Sequence, residues 1–415
     1  MHILFLTDNF PPEVNAPASR THEHCRQWVS AGHTVTVVTC APNFPRGKVF
    51  DGYRNVAWQR EIVDGIGVIR VWSYITANEG FIRRVLDYVS FMVTSTLAGL
   101  FVRKVDIVVG TSPQFFTACA ARVLAGAKRV PFVFELRDLW PESIKAVGAM
   151  NDSLSLRLLE RLELYLYRCA SVIVSVTHSF RRELVARGID GQKIEVITNG
   201  VDISRFSPRP KDPELTGQLG LRGKFVAGYI GTHGLAHGLH ALLEAADKLR
   251  QLPDGERFVL LFLGDGAEKA KLRERAAELG LKNVRFIDTV SKEQVGRYWS
   301  LLDASIIHLR RTDLFRTVIP SKLFECMGMG VPVVHGVGGE SAEIVQREGV
   351  GIVFESEDAD ELVAALRRLE SSETLAATMR RNCVEAAAKY DRTSLATHML
   401  EALERVAVAG KQTIP

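Results

Sequence analysis

Ile319-Pro320-Ser321-Lys322-Leu323-Phe324-Glu325-Cys326-Met327-Gly328-Met329-Gly330-Val331-Pro332-Val333-Val334 reads, in order, as a loop, a helix start, a helix stop and a buried strand. Pro320 presets φ at the helix mouth and Ser321 is placed to cap the first turn, so unpaired backbone N–H groups point outward at the positive end of the helix dipole. Such a tip attracts anions. Lys322 adds a charged donor, and Glu325, three residues on and so on the same face, is an acceptor-only side chain suited to paired hydroxyls. This pair fits a phosphate beside a ribose. On an ordinary helix a Lys and a Glu at this spacing form a solvated ion pair. Here the pair sits in the first turn, and Gly338-Gly339-Glu340-Ser341 offers a second nest of backbone donors beside another carboxylate. Gly328 and Gly330 stop the helix, and Val331 to Val334 is the β-branched run that a parallel sheet buries on both faces.

The chain has 415 residues and is 47% hydrophobic, enough for two or three cored domains and too apolar for disorder. Cys25, Cys40, Cys119, Cys169, Cys326 and Cys383 show no CxxC spacing, which argues against a disulfide framework or a zinc site and fits a reducing cytosol. Met1 to Asp8 lacks a basic leader and runs straight into a turn, so a first strand is expected there in place of a signal peptide. Net charge is +4: residues 1–205 hold 24 Lys and Arg against 19 Asp and Glu (+5), and the remainder 28 against 29 (−1). This excess is too small to indicate nucleic acid. It suits an anionic partner or an acidic membrane surface facing the N-terminal half.

Toward the N-terminus, a strand over 2–7, a turn-rich loop over 8–20 that includes Asn15, a helix over 19–30 and a strand over 33–39 make a βαβ unit. Ligands gather at strand carboxyl ends in such units, so the loop is a pocket candidate. No GxGxxG follows, which disfavours a nicotinamide or flavin dinucleotide. A third strand is expected over 66–74. Residues 80–104 are unusually apolar, and 85–102 approach the lower limit for spanning a bilayer, but Asp87 and several Ser and Thr interrupt them. Arg83, Arg84, Arg103 and Lys104 flank this body, which leaves two readings open: a helix lying on an anionic membrane, or a buried domain helix with basic ends. Strands over 105–110 and 130–136 follow, the second ending at Arg137-Asp138-Leu139-Trp140-Pro141-Glu142. Asp138 is a candidate acid, base or hydroxyl anchor, and an Arg137–Asp138 or Glu135–Arg137 structural pair is the alternative. A helix over 154–169, a strand over 171–176, a helix opened by His178 and a strand over 195–198 complete the first sheet.

Pro and charge crowd residues 207–213, which mark the domain boundary. Strands are expected over 225–230, 258–263, 284–287 and 304–309, with helices over 239–251, 267–279, 360–369, 372–388 and 393–408. The first of these strands breaks at Gly231-Thr232-His233-Gly234-Leu235-Ala236-His237-Gly238, a plausible second phosphate cradle. The glycines beside and between its histidines argue against a metal pair. The second strand ends in Gly264-Asp265-Gly266, and a basic loop, Arg310 to Arg316, runs into the opening stretch. The domains are expected as 1–206, 222–388, and a helix and tail over 389–415 packing back on the first.

Together these residues resemble the retaining glycosyltransferases of family four, which have two Rossmann-like doubly wound parallel-sheet domains facing a cleft. The resemblance rests on Gly32-His33-Thr34-Val35-Thr36-Val37, Asn199-Gly200-Val201-Asp202, Gly264-Asp265-Gly266, Asn283-Val284-Arg285-Phe286, and above all Pro320-Ser321-Lys322-Leu323-Phe324-Glu325 followed by Gly339-Glu340. It implies a UDP-sugar donor held by the C-terminal domain, an acceptor held by the N-terminal domain, and no metal or other cofactor. By that match Glu325 takes the ribose hydroxyls, Ser321 and Lys322 the diphosphate, the Phe286 to Thr289 segment with Ile287 the base, and Gly339 and Glu340 the donor sugar, with Thr232, His233 and Gly264 lining the donor site. Asn15, Arg137, Asp138 and His178 are placed with the acceptor, and Lys322 and Asp138 with catalysis.

Two departures from the family pattern stand out. A Glu usual eight residues before Glu325 is Thr317 here, and the Arg and Lys usual after the first strand of the second domain are Thr232 and His237. Positive charge must then come from Lys322, Arg310, Arg311 or Arg316. With the run after Arg137, these replacements resemble a subgroup that adds N-acetylated deoxyaminosugars such as N-acetylfucosamine to lipid-linked O-antigen or capsule precursors. That resemblance implies a polyprenyl-diphosphate-linked saccharide acceptor, work at the inner face of the cytoplasmic membrane, and no nucleic acid. A UDP-N-acetylhexosamine 2-epimerase of the same architecture and a non-catalytic sugar-nucleotide-binding protein are the competing readings.

Overall fold

The computed structural model describes residues 1–44, 47–76, 81–139, 154–291 and 293–412; Gly80 and the Trp140-Pro141-Glu142 end of the run after Asp138 lie outside the described residues. The chain divides into two compact units, Met1–Thr198 with Arg392–Pro415, and Asn199–Asp391.

In the first unit, strands β1 (His2–Leu6), β2 (Thr34–Cys40), β3 (Trp58–Val63), β4 (Ile66–Val71), β5 (Ile107–Thr111), β6 (Phe132–Leu136), β7 (Val172–Ser175) and β8 (Ile194–Val196) form one sheet in the order β3-β4-β2-β1-β5-β6-β7-β8. Helices α1 (Ala16–Ser30), α2 (Phe81–Leu100), α3 (Phe115–Lys128), α4 (Leu154–Cys169) and α5 (His178–Ala186) belong to the same unit. The central strands are apolar on both faces and buried, as in a doubly covered parallel sheet. The single third strand expected over 66–74 is instead a hairpin. β3 runs antiparallel to β4, joined at Asp64 and Gly65, which both take positive φ (50° and 79°) as a two-residue Asp-Gly turn requires.

α1 begins three residues before the expected Ser19, because Asn15 caps it by accepting from the Ala18 N–H. α2 satisfies neither of its two readings alone: Phe91 and Ala98 are buried, while Leu86, Val93, Leu97 and Leu100 are about half exposed. Among the described residues no helix is long and apolar enough to cross a membrane. The helix Arg392–Gln412 belongs to this unit, where Trp28 Nε1 donates to the Ala396 carbonyl at 2.8 Å and Arg392 pairs with Glu23.

The second unit holds β9 (Phe225–Ile230), β10 (Phe258–Leu263), β11 (Val284–Ile287), β12 (Ala304–His308), β13 (Val333–Gly336) and β14 (Gly351–Val353), all parallel, in the order β11-β10-β9-β12-β13-β14. Its helices are α6 (Pro213–Gln218), α7 (His240–Arg250), α8 (Lys269–Glu278), α9 (Val295–Trp299), α10 (Lys322–Met329), α11 (Glu340–Glu348), α12 (Ala359–Ser371) and α13 (Glu373–Lys389). Strand order runs outward from β9 in one direction and from β12 in the other, so the topological switch point lies between those strands. β13 starts two residues later than the sequence implies. Gly330 takes a left-handed turn (φ 66°), and the Val331 N–H is still used to close α10 against Cys326 O.

The first boundary differs from the expected residue 206. The Val201 N–H donates to Tyr390 O at 3.0 Å, and Val201 and Phe206 sit in the second unit's core, so the chain from Asn199 onward joins that unit. Both units are Rossmann-like, the first with one antiparallel edge strand.

Candidate functional site

The second unit's site is built around α10. Ser321 does not cap this helix as expected; it already has helical dihedrals (φ −60°, ψ −28°), and its side chain makes no capping bond. The tip is instead a tight turn in which Leu323 and Phe324 N–H donate to Pro320 and Ser321 carbonyls. The first N–H groups of a helix lack intrahelical acceptors, so its dipole end stays positive. Lys322 extends from this tip across the switch point to β9, where its Nζ lies 3.7 Å from the Tyr229 ring centroid. That nitrogen is buried without a hydrogen-bond partner among the described residues, and a Cβ on Gly231 would lie 2.8 Å from it. Burial pushes the ammonium pKa down to about 8, opposed by the electron-rich Cys326 and Glu325 side chains on the same helix. Glu325 is half-buried, one turn along from Lys322.

The surrounding histidines carry no competing charge. Burial first, and nearby Lys269 and Lys322 next, bring His233 down to about 4; burial and Lys322 bring His237 to about 3. His308 is held neutral by geometry as well: its Nδ1 donates to His237 O at 2.7 Å, and its Nε2 accepts from the Glu357 N–H at 2.9 Å. Of the four cation sources named from sequence, Arg310 and Arg311 turn outward to Glu357 and Glu355. Lys322 faces the strand ends, and Arg316 lies along Gly338.

The loops after β9 and β10 run backbone to backbone. A Cβ on Gly266 would meet the His233 carbonyl at 2.5 Å, and the His233 N–H donates to Asp265 O. The His233 side chain, expected from sequence at the donor site, is completely buried, with its ring packed between Tyr229 and Phe262. Thr232 is exposed, with its carbonyl taken by the Tyr229 hydroxyl. Ile287 ends β11, and its carbonyl accepts from Gly264 N–H and from Lys269 Nζ.

At the end of β13, Gly339 has φ 71° and a Cβ there would lie 2.0 Å from Arg316 O; only glycine fits. Glu340 follows, 5% exposed, as the first residue of α11. Thr317, which stands where the family has Glu, spends its hydroxyl on Leu314 O within a short 3₁₀ turn.

In the first unit the four acceptor candidates all sit at strand carboxyl ends, after β1, β6 and β7. Asn15 is occupied as the α1 cap and donates to Asn9 Oδ1. Arg137 and Asp138 N–H groups both point at Ser112 Oγ (2.8 and 3.2 Å), and Arg137 Nη1 reaches Pro17 O. His178 is exposed at the start of α5. The structural pair suggested for Glu135 is made with Arg20 (2.9 Å), not with Arg137.

Residues 212–390 match the family described as Glycosyl transferases group 1, and residues 15–200 match the Glycosyl transferase 4-like domain. The chain belongs to the GT-B glycosyltransferases. The glycosyltransferase is 25% identical over 383 residues to the colanic acid biosynthesis glycosyl transferase WcaI of Escherichia coli K12, covering 89% of this chain and 92% of that one. Its fold is shared by HepE of Anabaena, solved with UDP (TM-score 0.73, 18% identity, 98% of this chain and 100% of that one). It is shared also by sucrose-phosphate synthase of Thermosynechococcus elongatus (TM-score 0.78, 16% identity, 98% and 99%).

Sequence reasoning missed two residues of the glycosyltransferase's second-unit site. Lys269, nearly buried, ties Gly264 O (2.6 Å), Ile287 O and Asp288 together, bracing the β10 and β11 ends. Its place five residues after Gly264, at the start of an otherwise ordinary charged helix, carried no local signal. Tyr229 was hidden inside an apolar strand, where an aromatic residue reads as core.

Proposed function

We propose that the glycosyltransferase moves a sugar from a UDP-sugar to a polyprenyl-diphosphate-linked saccharide, with retention and without a metal, in assembly of a cell-surface polysaccharide. The observation that carries this is the Lys322 ammonium, desolvated and without a hydrogen-bond partner among the described residues, at the switch point of the second sheet. A buried cation with no partner is costly unless an anion comes to it. A diphosphate at the α10 tip supplies that anion, with Ser321 N–H, Thr232 and Gly264 beside it, Glu325 on the ribose, Ile287 at the base, and Gly339 and Glu340 at the donor sugar. HepE's capture with UDP and the colanic acid assignment of WcaI support the donor and the pathway class. The donor sugar proposed is an N-acetylated deoxyaminosugar of the N-acetylfucosamine kind.

In the reaction, the bond from the anomeric carbon to the β-phosphate oxygen breaks while the acceptor hydroxyl oxygen bonds that carbon from the same face. The acceptor proton passes to the leaving phosphate oxygen. Lys322 and the helix tip stabilise the charge that develops on UDP. Asp138 orients the acceptor hydroxyl, with Arg137, His178 and the Asn15 loop shaping its seat. Thermal-shift titration with UDP and UDP-sugars tests the donor. Ligand at about 100 times its dissociation constant adds roughly 2.7 kcal/mol, and a flat response to all of them would refute the reading.

The same reading puts the first unit at an anionic bilayer. Leu86, Val93, Leu97 and Leu100 of α2 lie exposed with Phe101, which packs edge-on against Trp58, and Arg60, Arg83, Arg103 and Lys104 are exposed on the same unit. Co-sedimentation with phosphatidylglycerol vesicles is expected at low salt, lost when Leu97 and Phe101 are both changed to Glu. No difference between that variant and wild type would rule this surface out.

A further inference from the structure

Tyr229 touches Lys322 but was given no role toward the donor in the proposed function, and the inference that follows rests on that reading. The Tyr229 hydroxyl donates to Thr232 O at 2.8 Å, which fixes the ring at the end of β9. His233 and His237 rings pack around it, each 5.9 Å away and inclined at 47° and 71°. Its face is left to Lys322. The titratable groups coupled to that ammonium are Glu325 and Cys326 on α10, His233 and His237 in the loop after β9, and His308 on β12.

We propose that Tyr229 is the positioning residue of the donor site: its ring face holds the Lys322 ammonium against the Gly231 backbone and yields it to the incoming nucleoside diphosphate. The chemistry favours a ring over a carboxylate for this task. A carboxylate at hydrogen-bond distance would make a charge-assisted bond that the diphosphate must break. The ring quadrupole attracts the ammonium less strongly and uses none of its three N–H donors. The lysine is thus aimed and kept protonated while its hydrogen-bonding capacity stays whole. The two histidines packed against the ring stay neutral, so they neither repel the ammonium nor compete for phosphate.

Isothermal titration of the full-length protein with UDP tests this. Tyr229→Phe, which keeps the ring, should retain most of the wild-type affinity. Tyr229→Leu and Tyr229→Met, which remove the ring, should each weaken UDP binding roughly tenfold. Lys322→Met should weaken it further, and adding Tyr229→Leu to Lys322→Met should cost nothing more, because the ring acts only through the ammonium. A purely structural tyrosine would give the same tenfold loss in both backgrounds. Wild-type affinity in the folded leucine or methionine variant, or additive losses in the double variant, would overturn the assignment of Tyr229 and leave the donor site standing. Unchanged UDP affinity in Lys322→Met would remove the donor site itself.

Discussion

A Cβ placed on Gly264 would lie 1.9 Å from the carbonyl oxygen of Gly231, so the loops that end β10 and β9 touch through bare backbone. Gly264 holds φ 144°, which L side chains rarely adopt, and its N–H is bound to Ile287 O. Gly264→Ala must therefore displace the Gly231 loop, which lies against Lys322. Strained backbone of this kind costs about 1–3 kcal/mol, before the clash is counted. A lower urea midpoint together with weakened UDP binding is expected, and a wild-type midpoint would show that the two loops separate freely.

Lys322 makes pH act in opposite directions on folding and on donor binding. Its folded pKa is about 8 against 10.5 ordinarily, so between those values the unfolded chain holds a proton that the folded chain has released. The folding penalty of the buried ammonium is fully present below pH 8 and fades as pH rises toward 10.5. UDP affinity falls across the same window as the charge is lost. Comparing wild type with Lys322→Met by chemical denaturation and by UDP titration isolates both slopes; parallel curves for the two proteins would contradict the assignment.

Arg20 ties the first unit together at its exit. Its Nε pairs with Glu135 at 2.9 Å, both side chains being buried, while its Nη atoms hold the Ile197 and Thr198 carbonyls at 3.0 and 2.6 Å. Arg20→Met leaves the buried Glu135 carboxylate with only the Arg137 charge and the Thr111 hydroxyl to stabilise it, a loss of about 3 kcal/mol, the low end for a broken buried pair. The loss should deepen as pH rises above the carboxylate range, and Glu135→Gln added to it should recover part. A single variant as stable as wild type would mean that water reaches Glu135.

Glu13 contributes a slope on the acid side. Burial raises its pKa from 4.5 to about 7, against the pull of the Phe44 and Asn43 N–H groups on Oε1, and its Oε2 is buried without a partner among the described residues. The folded chain keeps a proton there that the unfolded chain loses, so this group makes stability fall as pH rises from 4.5 to 7. Asp87, raised to about 6 chiefly by burial, acts in the same sense. Glu13→Gln should flatten part of that slope in denaturation curves at successive pH values; an unchanged slope would show that Glu13 is already ionised when folded.

Among the elements that sequence located residue by residue are the amphipathic helix α4 and the strands β9, β10 and β11, apolar runs that stop at Gly or Asp. The Lys322 helix tip was also legible, because Pro, Ser, Lys and Glu at successive and i,i+3 positions are a local pattern. The β3–β4 hairpin is signalled in the sequence only by Asp64-Gly65, because β3 carries Gln59, Arg60 and Glu61 in a row and is nowhere fully buried, as befits an edge strand.

What sequence by itself determined is the two-unit, Rossmann-like plan and the presence of a cationic helix tip, since strand and helix patterns depend on neighbours within a few residues. What only the tertiary structure decided is which groups meet. Lys322 reaches Tyr229, Arg20 reaches Glu135, and His233 is buried away from solvent. These partners lie on different strands and helices, brought together when the sheets order themselves around their switch points, and no local spacing encodes that order.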